Sequence, residues 1–211
     1  MFLKICGITR LVDAKLAIDA GATALGFVFW PKSPRFVSDR KVAEIVAALP
    51  ASVATVGVFV NQSVDGIAVT MQRTGLRMVQ LHGDEPCTYA DALSWPILRS
   101  VTLDTAQPLL DAWPPETTFL VDAADPERRG GTGQAVDWTR AAELARLRWT
   151  VLAGGLTAEN VEAAIATVQP YGVDVSSGVE AAPGLKDAKK VARFLTNAQH
   201  AMERLRVGRM N

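Results

Sequence analysis

Three observations predict an α/β chain folded as a single parallel, eight-stranded (β/α)8 TIM barrel over residues 1–211. Short apolar runs rich in β-branched residues recur eight times, and each is followed by a segment with helical spacing. The runs begin at intervals of about 20 to 32 residues. The length of 211 residues lies in the range of roughly 200–250 where a barrel is one domain. Strand–helix alternation implies parallel strands joined by right-handed crossovers. Eight units in this length fit a closed barrel better than an open doubly wound sheet, although periodicity alone does not show closure.

The first run, FLKIC (2–6), ends on Cys6 with Gly7 behind it, and LVDAKLAIDAG follows as a helix stopped at Gly21. ALGFVF (24–29) is the second run. The loop WPKSPRFVS then leads to Ser38, an N-cap for DRKVAEIVAAL. ATVGVFV (54–60), MVQLH (78–82) and ILRSV (97–101) are the third to fifth. Around 106–112, Pro108 and Pro114 leave room for only a reduced fifth helix. TFLVDA (118–123) precedes the long glycine-rich stretch AADPERRGGTGQAVDW. TVLAG (150–154) is followed by TAENVEAAIATV, with Thr157 in the capping position. GVDVSS (172–177) is the eighth run, and DAKKVARFLTNAQHAMERL closes the chain, leaving a basic end.

Hydrophobic residues make up 49% of the chain, and 22 basic residues balance 22 acidic ones. That neutrality argues against nucleic acid or an anionic membrane as partner. Two cysteines, Cys6 and Cys87, without CxxC or His-bearing spacing, argue against a disulfide framework or a zinc site and favour a reducing compartment. No leader pattern opens the chain, and no run of about 18 apolar residues could span a bilayer. A soluble, cytoplasmic protein is expected, as a monomer or homodimer.

Barrel chemistry sits at the C-terminal ends of the strands. Cys6, His82 and Asp122 fall there, as do Gly154, Gly155, Ser176, Ser177 and Gly178. Singly, each has an ordinary explanation: core packing, a satisfied imidazole, a turn cap, a tight turn. Their convergence on one rim points to a site. LAGGLTAENV and VSSGVE are strand–glycine–turn segments whose backbone N–H groups can approach a phosphate. Lys32 and Arg35 supply charge in a loop stiffened by Pro31 and Pro34, and Arg35 suits bidentate capture of a carboxylate. Gly130, Gly131 and Gly133 give the sixth loop the freedom of a lid. Lys4 shares a face of its strand with Cys6, and Asp174 on the neighbouring eighth strand is its expected partner. Gln80 shares a face with His82. Trp30 is expected to shield its loop, His200 lies on the surface, and Cys87 has no evident role.

KICGIT, SPRFVS, QLHGDE, GGTG..VDW, LAGGLTAENV and GVDVSSGVE..PGLKD, in this order, resemble phosphoribosylanthranilate isomerase of tryptophan biosynthesis, over residues 3 to about 187. Val136 stands where the family more often has Phe. The resemblance implies a cofactor-free, metal-free Amadori rearrangement of N-(5-phosphoribosyl)anthranilate. It implies Cys6 as general base and Asp122 as general acid. It further implies Arg35 on the anthranilate carboxylate and the glycine–serine loops 154–155 and 176–178 on the phosphate; His82 and Asp174, from their strand positions, are expected at the substrate as well. A thiol of ordinary pKa, ~8.5, is a weak base near neutrality, so a cation such as Lys4 is expected to lower it. Two alternatives stay open. One is another sugar-phosphate isomerase or epimerase barrel, although a metal-using one would find only His82 near the rim. The other is a barrel that binds a phosphorylated ligand without catalysis.

Overall fold

The computed structural model describes residues 1–123 and 136–208. Eight strands close into one barrel in chain order, β1 (Phe2–Ile5), β2 (Ala24–Val28), β3 (Ala54–Phe59), β4 (Met78–Leu81), β5 (Ile97–Val101), β6 (Thr118–Val121), β7 (Thr150–Leu152) and β8 (Gly172–Val175). All pairs are parallel, and β1 meets β8 with Lys4 opposite Asp174 and Ile5 opposite Val175. The closure that periodicity left open is therefore present.

Strand alternation divides the core in two. Leu3, Ile5, Leu25, Phe27, Phe119 and Val173 face outward and pack against helical residues such as Ala14, Ile67 and Phe194. Phe2, Ala24, Val56, Leu98, Leu120 and Val151 fill the barrel's interior as a second cluster. Lys4, fully buried, lies inside as well.

The helices are α1 (Leu11–Asp19), α2 (Asp39–Ala47), α3 (Val64–Thr74), α4 (Tyr89–Ala92), α5 (Ala106–Ala112), α6 (Trp138–Leu147), α7 (Val161–Val168) and α8 (Ala188–Gly208). Gly21 stops the first helix at φ +101°, as expected. Ser38 takes the N-cap position of α2 with extended dihedrals but makes no side-chain cap bond. The fifth helix is reduced to seven residues, with Pro108 in its first turn, where its missing N–H costs nothing. The fourth is shorter still, four residues between Pro86 and Pro96. Thr157 does not cap α7. Its Oγ1 accepts from Glu159 N (3.2 Å) within a preceding turn, and the helix opens at Val161 behind Asn160. After β8, a 3-10 turn (Ser177–Val179) leads into an antiparallel hairpin of β9 (Glu180–Ala182) and β10 (Leu185–Lys186). Among the described residues no helix is long and apolar enough to cross a membrane.

Candidate active site

Cys6, His82, Asp122 and Ser176 each occupy the first position beyond a strand, on the C-terminal rim. The sequence-based runs counted them as strand residues, and the ladder does continue through three of them. Cys6 N donates to Val175 O (2.8 Å), His82 N to Phe59 O (2.9 Å) and Asp122 N to Val101 O (3.1 Å). The rigid sheet thus fixes the backbone from which these side chains project. The lid glycines Gly130, Gly131 and Gly133 lie outside the described residues, as does the end of the basic tail, 209–211.

Below the thiol, Lys4 Nζ donates to Asp174 Oδ1 at 2.9 Å, the expected pair. Burial works against the Lys4 charge, but Asp174 and Cys6 outweigh it, and its pKa is raised. Room for both side chains comes from Gly26 on β2. A Cβ there would stand 2.8 Å from Cys6 Sγ and 3.1 Å from Lys4 Nζ. The expected lowering of the thiol's pKa is corrected. Burial pushes the Cys6 thiol up, Lys4 and Lys186 pull it down, Asp174 opposes them, and the net direction is upward. The cations offset desolvation without overcoming it.

Gln80 Nε2 lies 2.9 Å from His82 Nδ1, so the shared face of β4 is real. An amide NH2 can only donate, which makes Nδ1 the acceptor and leaves the neutral ring's proton on Nε2. That nitrogen is 3.7 Å from Asp122 Oδ2. Asp122 Oδ1 accepts from Ala123 N at 2.8 Å. Gly154 (φ +75°) lets the seventh loop close in on this carboxylate, since a Cβ there would lie 2.8 Å from Ala123 N and 2.6 Å from Val136 Cγ2.

Gly155 is also left-handed, at φ +67°. Asn160 ties this turn together, its Oδ1 accepting from Thr157 N (2.8 Å) and its Nδ2 donating to Gly155 O (2.9 Å). A Cβ on Gly178 would overlap the Leu156 carbonyl oxygen, so the seventh and eighth loops are packed against each other. Ser176 Oγ is buried there with no hydrogen-bond partner among the described residues. Two adjacent, half-buried glycine-bearing turns and a spare hydroxyl have the chemistry of a backbone anion nest.

Arg35 reaches the same rim from the second loop, 12% exposed in its side chain. Its stem passes over Gly7 (φ +74°), where a Cβ would come within 2.5 Å of Arg35 Cδ. Glu180 grips it with two bonds, Nε to Oε1 (2.9 Å) and Nη2 to Oε2 (2.8 Å). Gly26, Glu180 and Lys186 are the residues that sequence reasoning missed. The last two stood inside the motifs VSSGVE and PGLKD, where an acid and a base six residues apart about a Pro-Gly turn was the available signal. A cavity of about 470 Å³ lined by Phe2, Trp95, Trp149 and Tyr171 opens at the opposite pole, at the strands' N-terminal ends, away from this chemistry.

A closed parallel barrel with a thiol, a carboxylate and two glycine-bearing loops on its C-terminal rim defines a class, the barrel enzymes that move protons on phosphorylated substrates. Within that class, the family model described as N-(5'phosphoribosyl)anthranilate (PRA) isomerase matches residues 3–197. The chain belongs to this family. It is 46% identical over 200 residues to the N-(5'-phosphoribosyl)anthranilate isomerase of Pelobacter propionicus, covering 93% of this chain and 95% of that one. The crystal structure of the Thermotoga maritima phosphoribosyl anthranilate isomerase is similar with a TM-score of 0.87 at 39% identity, covering 95% of this chain and 99% of that one. A solved isomerase in complex with reduced 1-(o-carboxyphenylamino)-1-deoxyribulose 5-phosphate is similar with a TM-score of 0.84 at 37% identity, with the same coverage.

Proposed function

We propose that this chain, as one barrel domain, converts N-(5-phosphoribosyl)anthranilate to 1-(2-carboxyphenylamino)-1-deoxyribulose 5-phosphate in tryptophan biosynthesis, with Cys6 as general base and Asp122 as general acid. The observation that carries the reading is the placement of both residues one position past their strands on the same rim of a closed barrel. The acid form of Asp122 delivers a proton to the furanose oxygen, and the ring opens to a protonated Schiff base. That cation acidifies the adjacent C2–H, and Cys6, in the thiolate fraction that Lys4 and Lys186 sustain against burial, takes the proton to leave an enolamine. The enolamine gains a proton at C1 and loses one from the C2 hydroxyl, giving the ketone.

The phosphate is assigned to the cradle of Gly154, Gly155, Ser176, Ser177 and Gly178, and the anthranilate carboxylate to Arg35. His82 is assigned to shaping the pocket beside Asp122. Asp174 accepts from Lys4 through Oδ1 and is assigned to a substrate hydroxyl through Oδ2, which makes no hydrogen bond among the described residues. The setting is taken as cytoplasmic, with this phosphorylated small molecule as partner.

The test follows loss of the fluorescent anthranilate adduct. Folded Cys6→Ala and Asp122→Asn variants should each lose about 100-fold or more in kcat, the worth of a positioned proton-transfer group. A folded Cys6→Ala variant with the parent kcat would overturn the base assignment.

A further inference from the structure

The hairpin after β8 sets Glu180 on β9 opposite Lys186 on β10. Both side chains are almost wholly buried, although they carry opposite charges at the edge of the mouth. Glu180 is fully engaged. Oε1 accepts from Arg35 Nε (2.9 Å), Lys186 Nζ (2.9 Å) and Gly184 N (3.2 Å), and Oε2 accepts from Arg35 Nη2 (2.8 Å). Lys186 Nζ also donates to Ser176 O at 3.1 Å. Burial raises the Glu180 pKa, but the two cations outweigh it and hold the carboxylate below its ordinary range.

A guanidinium presents two carboxylate-shaped edges, Nε with Nη2 and Nη1 with Nη2. Glu180 occupies the first, while Nη1 makes no hydrogen bond among the described residues. A flexible arginine is thereby turned into a fixed donor fork with one side spare. The charge count completes the logic. Arg35 with Glu180 alone is neutral and would attract an anion poorly. Lys186 brings these three side chains to a net +1, and Lys190, whose Nζ donates to Glu180 O (2.8 Å), adds a cation behind them, so an incoming carboxylate meets a cation rather than an ion pair already satisfied.

We propose that Glu180 and Lys186 are positioning residues for the carboxylate end of the substrate: Glu180 aims the free edge of Arg35, and Lys186 cancels the charge that Glu180 brings. This rests on the reading of Arg35 as the carboxylate receptor and extends it to substrate selectivity. The proposal is that this hairpin sets the preference for the anthranilate adduct over an aniline adduct, which offers Arg35 no carboxylate to hold.

The experiment compares adducts of phosphoribose with anthranilate and with aniline, prepared alike, on the full chain. Glu180→Gln and Lys186→Met should each lower the kcat/KM preference for the anthranilate adduct by about 10- to 100-fold, the worth of a charge-assisted hydrogen bond. In Glu180→Gln the loss should sit mainly in KM, whereas Lys186→Met also slows both adducts alike by removing a cation that stabilises the Cys6 thiolate. Should Glu180→Gln fail to fold, Glu180→Asp keeps the charge but retracts it by one methylene and should show the same change in preference. Lys186→Arg should restore preference lost in Lys186→Met. Arg35→Met separates the two readings. If it loses the preference while the hairpin variants slow both adducts equally, Glu180 and Lys186 are structural and the proposal is overturned. If Arg35→Met leaves the preference intact, the carboxylate reading falls, and this proposal with it.

Discussion

Cys6 stands among Lys4 below it, Asp174 across the β1–β8 seam, and Lys186 and Arg35 from the loops above. Because desolvation outweighs the cations, iodoacetamide alkylation of Cys6 should rise with pH to a midpoint above the ordinary ~8.5 of a thiol. In Lys4→Met that midpoint should move higher still; an unmoved midpoint would remove the cation from thiol activation. The same substitution strands the buried Asp174 carboxylate and should cost about 3–5 kcal/mol in urea unfolding, with Lys4→Met/Asp174→Asn recovering part of it. The pair was legible in the sequence because it needs only two facts, that side chains alternate along a strand and that closure makes the first and last strands neighbours. Gly26 was not legible. Its significance depends on the register of β1 against β2, which no short pattern encodes.

Loops, rather than strands, carry most of what the sequence concealed. All eight apolar runs start where their strands start, and seven overrun the C-terminal end by one or two residues, since a buried parallel strand advertises itself by composition. Helix starts are subtler: Thr157 is the expected cap, but α7 opens behind Asn160, whose side chain makes no cap bond and ties Thr157 N and Gly155 O within the preceding turn. Least visible is the clamp behind the fourth strand. Arg99 on β5 donates through Nη1 to Glu85 Oε2 (2.8 Å) and through Nη2 to Gly83 O (3.0 Å), while Glu85 Oε1 accepts from Asn61 N (2.7 Å). This buried pair fastens the third and fourth loops to β5 just beyond His82. Arg99→Met leaves the Glu85 carboxylate buried and unpaired, an expected loss of about 3–5 kcal/mol. For a chain of this size that corresponds to a fall in Tm of about 6–20 °C. A variant melting within a degree or two of the parent would show the clamp to be dispensable.

At the scale of the molecule, the ionisable groups buried at the barrel's mouth also set the pH range over which it stays folded. The Glu180 pKa is depressed in the folded chain, so its contribution is complete above the unfolded value of ~4.3 and is lost as pH falls through the folded one. Cys6 runs the other way. Its folded pKa is raised, so the unfolded chain ionises first, and stability declines as pH climbs from ~8.5 towards the folded value. Lys4, also raised, keeps its contribution up to the unfolded value of ~10.4 and loses it as pH passes through the folded one. Lys186 is lowered by burial and opposes that trend, since it sheds its proton earlier when folded. Cys6→Ala removes the thiol's titration together with its pull on Lys4 and Lys186, while Cys87 is common to both chains. Urea midpoints for the parent and Cys6→Ala should run parallel from about pH 6 to 8 and then converge or cross, the parent falling faster above ~8.5. Curves that stay parallel to pH 10 would mean that the folded barrel does not resist ionisation of this thiol, and the desolvated setting assigned to the base would be wrong.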